Sequence, residues 1–71
     1  MSRLEDMADE LAQLALKDER RTKSESIVNE VGEILGSSSQ TLQEAYLTAI
    51  RVRRAEGRAR DLLEGRAKAQ S

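Results

Sequence analysis

The residue types that carry most enzymatic chemistry are scarce in this sequence. It contains no histidine and no cysteine, so the usual acid–base and nucleophilic groups and the soft metal ligands are missing. A group of carboxylates remains near the start of the chain: Asp6, Asp9 and Glu10. Acidic residues in the first turns of a helix are favoured by the helix macrodipole, and their spacing here differs from that of a calcium-binding loop. We therefore interpret the group as a solvated helix face, and we predict no catalytic residue, no metal site and no cofactor.

Arginines recur in the last third of the chain. Arg51, Arg54 and Arg58 lie at a spacing of three and then four residues, which places them on one face of a helix. Arginine suits bidentate contacts with phosphate or carboxylate groups. Three interpretations stay open: a solvated face with local ion pairs, a contact with an acidic partner, and a contact with nucleic-acid phosphates. Local pairing is the simplest, because Arg60 follows Glu56 by four residues.

Charge is divided unevenly along a chain that is nearly neutral overall. The 12 basic and 13 acidic residues give a net charge of −1. Residues 1–50 hold five basic and ten acidic side chains, whereas residues 51–71 hold seven basic and three acidic ones. The near-neutral total argues against a general polyanion binder, although the basic end of the chain could still meet a local anionic surface.

Helical spacing of the apolar residues predicts an all-α protein. The chain has no proline, and no segment shows the strict alternation of apolar and polar residues that is typical of a strand. We predict three helices, at about 3–18, 23–35 and 41–64. They would form a small bundle, or a helical hairpin with one long C-terminal helix, and we expect this domain to be oligomeric.

Capping sequences predict where these helices begin. Ser or Thr followed three residues later by Glu is a helix-start signature, and it occurs at Ser2, Thr22 and Thr41. Gly36 is well placed to end the second helix in a left-handed conformation. We expect residues 65–71 to be a frayed tail.

The size of the chain indicates that it needs a partner. Seventy-one residues form one small domain, and this one has no Phe, no Trp and no disulfide to strengthen its core. On the first helix, apolar residues form a narrow seam of the coiled-coil kind, and the third helix begins with a broader apolar face. The residues that we predict to bind a partner are Leu4, Met7, Leu11 and Leu14 on the first helix and Tyr46, Leu47 and Ile50 on the third.

These observations predict a non-catalytic protein–protein interaction module, of the adaptor, chaperone or inhibitor kind. It would complete its core by oligomerising or by docking on a protein partner. The alternative is a small nucleic-acid-binding regulator that uses the arginine-rich half of the third helix. No apolar run is long enough for a membrane span, no signal peptide or small-molecule substrate site is evident, and we expect a cytoplasmic location.

Overall fold

Three α-helices make up almost all of the described chain, residues 2–70 of a computed structural model. They are α1 (Arg3–Thr22), α2 (Ser26–Ser38) and α3 (Gln40–Ala69). No strand occurs within residues 2–70, which confirms the prediction of an all-α protein with three helices. Oligomerisation stays a prediction.

The helices α2 and α3 form an antiparallel hairpin. The hydroxyl of Tyr46 donates to the backbone carbonyl of Val28 at 2.8 Å. The side-chain amide of Gln43 donates to the backbone carbonyl of Gly32 at 2.9 Å. Because the order of the partners reverses along the two helices, they run in opposite directions. A single residue, Ser39, connects them.

The helices α1 and α3 lie side by side in the same direction. Asp9 of α1 bonds Arg53 of α3, and further along both helices Arg20 and Arg60 line one groove. At 1.5 Å per residue α3 is about 45 Å long and α1 about 30 Å, so α3 extends beyond its neighbours. Every residue from 58 to 70 is exposed.

Local capping explains the first helix start but not the second. The hydroxyl of Ser2 accepts a hydrogen bond from the backbone N–H of Glu5 at 3.2 Å, as its capping sequence predicts. The predicted start at Thr22 is wrong. Thr22 is the last residue of α1, and its hydroxyl donates back to the carbonyl of Asp18 at 2.8 Å. The second helix therefore begins three residues later than predicted, at Ser26, with no side-chain cap.

The junction between α2 and α3 also differs from the prediction. Ser39 caps α3, because its hydroxyl accepts a hydrogen bond from the N–H of Leu42 at 3.1 Å, while Thr41 lies inside the helix. Gly36 does not end α2, which continues to Ser38. No glycine among the described residues has a positive φ, so the left-handed cap predicted at Gly36 is absent.

The third helix is longer than predicted at its C-terminal end. It passes the predicted end at residue 64, continues through Gly65 and ends at Ala69. Fraying of the tail at 65–71 stays a prediction, and Ser71 lies outside the described residues.

A small, alanine-rich cluster forms the core. Within it Tyr46 is fully buried, and it is the largest such side chain among the described residues. Gly32 packs against the ring, and a Cβ atom at that position would lie in ordinary van der Waals contact with the ring edge, at 3.7 Å. The buried residues are Ala8, Ala12, Ala15 and Leu16 of α1, Val28 of α2, and Tyr46 and Ile50 of α3.

The side of α1 that faces the core is its alanine side. Of the seam predicted for partner binding, Met7 and Leu14 are 52% and 57% exposed, while Leu4 and Leu11 are half-buried. Small side chains let parallel helices approach closely, so alanine occupies the contact and the larger residues lie at its edge and on the surface.

The turn after α1 has a backbone conformation that costs free energy. Lys23 adopts φ 63° and ψ 18°, a left-handed conformation, and its N–H donates to the carbonyl of Glu19 at 2.8 Å. Glycine adopts this conformation without the steric penalty of a Cβ atom. We expect Lys23→Gly to raise the free energy of unfolding by about 0.5–1 kcal/mol, measured as a shift in the urea midpoint. Lys23→Ala is the control, since it removes the charge but keeps the Cβ atom. It should not raise the free energy of unfolding.

Among residues 2–70, no helix combines the length and the apolar character that crossing a membrane requires.

Candidate functional site

A groove separates the C-terminal half of α1 from the middle of α3. It encloses about 470 Å³ and opens to solvent. The alanines of α1 are buried in the core, whereas larger side chains of both helices border the groove. Its lining residues are Gln13, Leu14, Leu16, Lys17 and Arg20 from α1 and Arg53, Glu56, Gly57 and Arg60 from α3.

The groove combines an apolar surface with a basic rim. Leu14 presents more than half of its surface to solvent, and Gly57 leaves open space, since a Cβ atom there would meet nothing within 4 Å. On the α1 side, the side chains of Lys17 and Arg20 form neither a hydrogen bond nor an ion pair within the described residues. Such a surface is suited to an apolar side chain flanked by carboxylates.

On the α3 side of the groove, the charged side chains are joined by a series of ion pairs. Arg53 donates from Nε and Nη2 to the two carboxylate oxygens of Asp9, at 2.9 and 2.5 Å. Glu56 accepts from Arg53 at 3.4 Å and lies 3.0 Å from Arg60. The pairing of Arg60 with Glu56 follows the local spacing in the sequence, whereas the pair between Asp9 and Arg53 joins two helices.

The bidentate pair changes the titration of both of its members. The hydrogen bonds from Arg53, and then the one from Gln13 at 2.9 Å, hold the pKa of Asp9 below its ordinary value of 3.8. The hydrogen bonds to Asp9 in turn raise the pKa of Arg53. Asp9, which we interpreted as one of a group of solvated carboxylates, is therefore a structural contact between α1 and α3.

This pair predicts a loss of stability in acid. Because the pKa of Asp9 is lower in the folded chain than in the unfolded chain, its contribution is present above about pH 4 and is lost as the pH falls through the folded value. We expect Asp9→Asn to flatten the decline of the melting temperature in that acid range. Asp6→Asn, at an exposed residue of the same helix, is the matched control. The same decline of melting temperature in acid for the wild type and Asp9→Asn would contradict the assignment of this loss to the Asp9–Arg53 pair.

The three arginines predicted as a charged contact differ in their partners within the chain. Arg54 donates to the carboxylate of Glu19 at 3.0 Å, which leaves less of its charge for a ligand. The side chains of Arg51 and Arg58 are exposed and make no hydrogen bond or ion pair within residues 2–70. A second hollow of about 430 Å³ contains Arg54 and Arg58, but Glu19 and Glu25 also line it, so its charge is mixed.

The apolar residues predicted on α3 lie mostly inside the chain. Tyr46 and Ile50 are buried, and Leu47 is half-buried and packed against the core. Tyr46 and Ile50 are therefore core residues of this chain, not surface residues. The reason is that α1 and α2 both pack on this side of α3.

A different apolar surface of α3 is exposed. Val52, Leu62 and Leu63 present between 59% and 66% of their surface to solvent. We did not predict these residues as a site. The spacing of Val52, Ala55, Ala59 and Leu62, alternately three and four residues, is the signal that could have found them.

No group of three or more metal-ligating side chains occurs within the part of the chain that the structure describes.

The fold defines a class, a small all-α protein of three helices, and nothing narrower. Comparisons with protein-family models, with curated proteins and with solved structures find no match to this chain.

Proposed function

We propose that this chain is a non-catalytic protein-interaction module. The observation that carries the proposal is the balance between exposed and buried apolar side chains. Four large apolar side chains are buried, namely Leu16, Val28, Tyr46 and Ile50. Six others are more than half exposed, namely Met7, Leu14, Ile34, Val52, Leu62 and Leu63. Exposed apolar side chains that outnumber the buried ones favour association.

The groove between α1 and α3 is the surface with the most defined shape. Its apolar centre at Leu14 and Leu16 and its unpaired rim cations Lys17 and Arg20 complement a helix that carries apolar residues on one face and carboxylates beside them. Amphipathic helices bind in grooves of this type through anchors spaced three or four residues apart. We therefore propose that the groove binds an acidic amphipathic helix of a partner protein.

Site-specific photocrosslinking in the native cells tests this proposal. Leu14 is replaced by a photoreactive benzoyl-phenylalanine, and the products are identified by intact mass. We expect one discrete crosslinked partner of acidic character, and we expect its yield to fall when Lys17→Glu and Arg20→Glu are added. The matched control carries the same probe at Glu33, an exposed residue of α2. Equal labelling from positions 14 and 33, or none at either, would contradict the proposal.

The alternative, nucleic-acid binding through the arginine-rich half of α3, has less support. Arg51 and Arg58 are free to contact phosphate, but Arg54 is bound by Glu19, and Glu25 also lines the hollow that Arg54 shares with Arg58. Binding that neutralises phosphates weakens steeply as salt rises. On the leading proposal, duplex DNA and RNA show no salt-sensitive retardation by this chain at low ionic strength. Retardation that Arg51→Glu abolishes would favour the alternative.

A further inference from the structure

The outer face of α3 carries a heptad pattern. Apolar and small residues recur along it at alternating intervals of four and three residues, the spacing of a and d positions in a coiled coil. The positions are Thr48, Val52, Ala55, Ala59, Leu62, Arg66 and Ala69, and every one of them is exposed. We call this set the outer seam. Its apolar part is the segment from Val52 to Leu62.

The outer seam lies on the side of α3 opposite to the core. At 100° per residue, Ala55 lies half a turn around the helix axis from Tyr46, whose ring points into the bundle. Both α1 and α2 pack on the Tyr46 side, since Arg53 contacts α1 and Gln43 contacts α2. No other described part of the chain covers the outer seam, so a second molecule can approach it along its whole length.

We propose that two copies of this chain pair through the outer seam, with their α3 helices parallel and in register. The inference goes beyond the proposed function, because it assigns an occupant to a surface other than the groove. Ala55 and Ala59 at the centre allow the two helix axes to approach to about 8 Å. Val52 and Leu62 then each pack against the same residue of the second copy, as a and d residues do in a parallel pair.

Charge complementarity favours a second copy over an unrelated partner. Arg51 and Glu56 flank the seam at g and e positions, and in a parallel pair each g residue meets the e residue five positions later on the other helix. Arg51 therefore reaches Glu56 of the second copy, where it joins the pairs that Glu56 forms with Arg53 and Arg60 of its own chain, and two-fold symmetry forms the same contact twice. Within its own chain, Arg51 has no ion-pair or hydrogen-bond partner among the described residues.

The opposite orientation brings like charges together. An antiparallel pair that matches Val52 with Leu62 of the second copy also places Glu56 against Glu56 and Arg58 against Arg58. Like charges at flanking positions disfavour a pairing. The charges thus select the parallel orientation, while Thr48 and Arg66 bound the apolar segment and keep the association reversible.

Sedimentation equilibrium of the full chain tests the pairing. The mass of one chain is 7.9 kDa, and we expect the weight-average mass to approach twice this value as the concentration rises from micromolar to millimolar. Val52→Glu should hold the chain at the monomer mass. Because Val52 is exposed in the monomer, helicity and melting temperature at low concentration should stay unchanged, which separates lost pairing from lost folding.

A matched pair of charge variants tests the orientation through Arg51. Arg51→Glu should weaken association by roughly fivefold, because it removes two ion pairs and replaces them with like charges. Arg58→Glu makes the same charge change on the same helix, but it faces Leu63 of the second copy and should have a smaller effect. Equal effects of the two variants would overturn the parallel register.

Single-cysteine variants supply an independent test, because the chain has no cysteine of its own. In a glutathione redox buffer, Ala55→Cys should form an intermolecular disulfide at least several times more completely than Glu33→Cys on the exposed face of α2. Equal crosslinking of the two would overturn the pairing. A mixture of Ala55→Cys and Ala59→Cys that forms mainly the mixed disulfide would overturn the parallel orientation.

Failure of this inference can be distinguished from failure of the proposed function. A chain that stays at the monomer mass at millimolar concentration, with no selective disulfide at position 55, overturns the pairing. The photocrosslinking at Leu14 is unaffected by that result, because Leu14 lies in the groove and not on the outer seam.

Discussion

Replacing Tyr46 with alanine should remove a large part of the stability of the chain at 25 °C. The side chain is fully buried and contributes the largest volume to a core that otherwise holds three large apolar side chains and three alanines. Truncating a buried aromatic residue costs about 3–5 kcal/mol, whereas a chain of this length has a total stability of roughly 4–11 kcal/mol. We expect a large decrease in the urea midpoint, measured by helical circular dichroism.

Tyr46→Phe is the matched control, because it keeps the ring and removes only the hydroxyl. The lost bond to the carbonyl of Val28 should cost about 0.5–1.5 kcal/mol. Burial raises the pKa of Tyr46 above its ordinary value of 10.0. The contribution of Tyr46 to the stability of the wild type should thus be constant below that pH and decline above it, and Tyr46→Phe should lack this alkaline loss. A Tyr46→Ala variant as stable as Tyr46→Phe would contradict the assigned core.

Replacing Ala12 with leucine should destabilise the chain by about 1–3 kcal/mol, although it adds apolar surface. Ala12 is fully buried in the same cluster as Tyr46 and Ile50. A leucine there has no room unless α1 moves away from its neighbours, and that movement would loosen the whole contact. The measurement is the free energy of unfolding in urea.

Leu14→Ala is the control for this prediction, since it changes a residue of the same helix in the opposite sense. Leu14 is 57% exposed, so its truncation should change stability by less than about 0.5 kcal/mol. If Leu14 belonged to the core, the same change would cost about 2–5 kcal/mol. A large loss with Leu14→Ala and none with Ala12→Leu would show that the leucine side of α1 faces the core.

Local sequence accounts for the helices better than for their ends. Ser2 caps α1 as its sequence predicts, because the hydroxyl and the N–H that it satisfies are three residues apart. Thr22 carries the same signature but ends a helix. Its hydroxyl donates to the carbonyl of Asp18 in the preceding turn, and local spacing does not choose between that bond and accepting from an N–H of the following turn.

The candidate site was only partly predictable. Leu14 and Met7 were predicted as contact residues and are exposed, and the pair of Arg60 with Glu56 follows from helical spacing. The groove itself was not foreseen. It depends on Arg53 reaching Asp9, a residue 44 positions away, and on the parallel arrangement of α1 and α3. No local pattern encodes that arrangement.

Composition and periodicity alone determined that this chain is all-helical, that it has three helices and that it has few large apolar side chains for a core. Those properties depend on residues a few positions apart, which interact within a single helix. Only the tertiary structure decided that Ala12, not Leu14, faces the core, and that α3 buries Tyr46 while exposing Val52. The spacing of α1 offers both an alanine side and a leucine side. The choice between them depends on how closely the packed helices approach, and only their packing defines that distance.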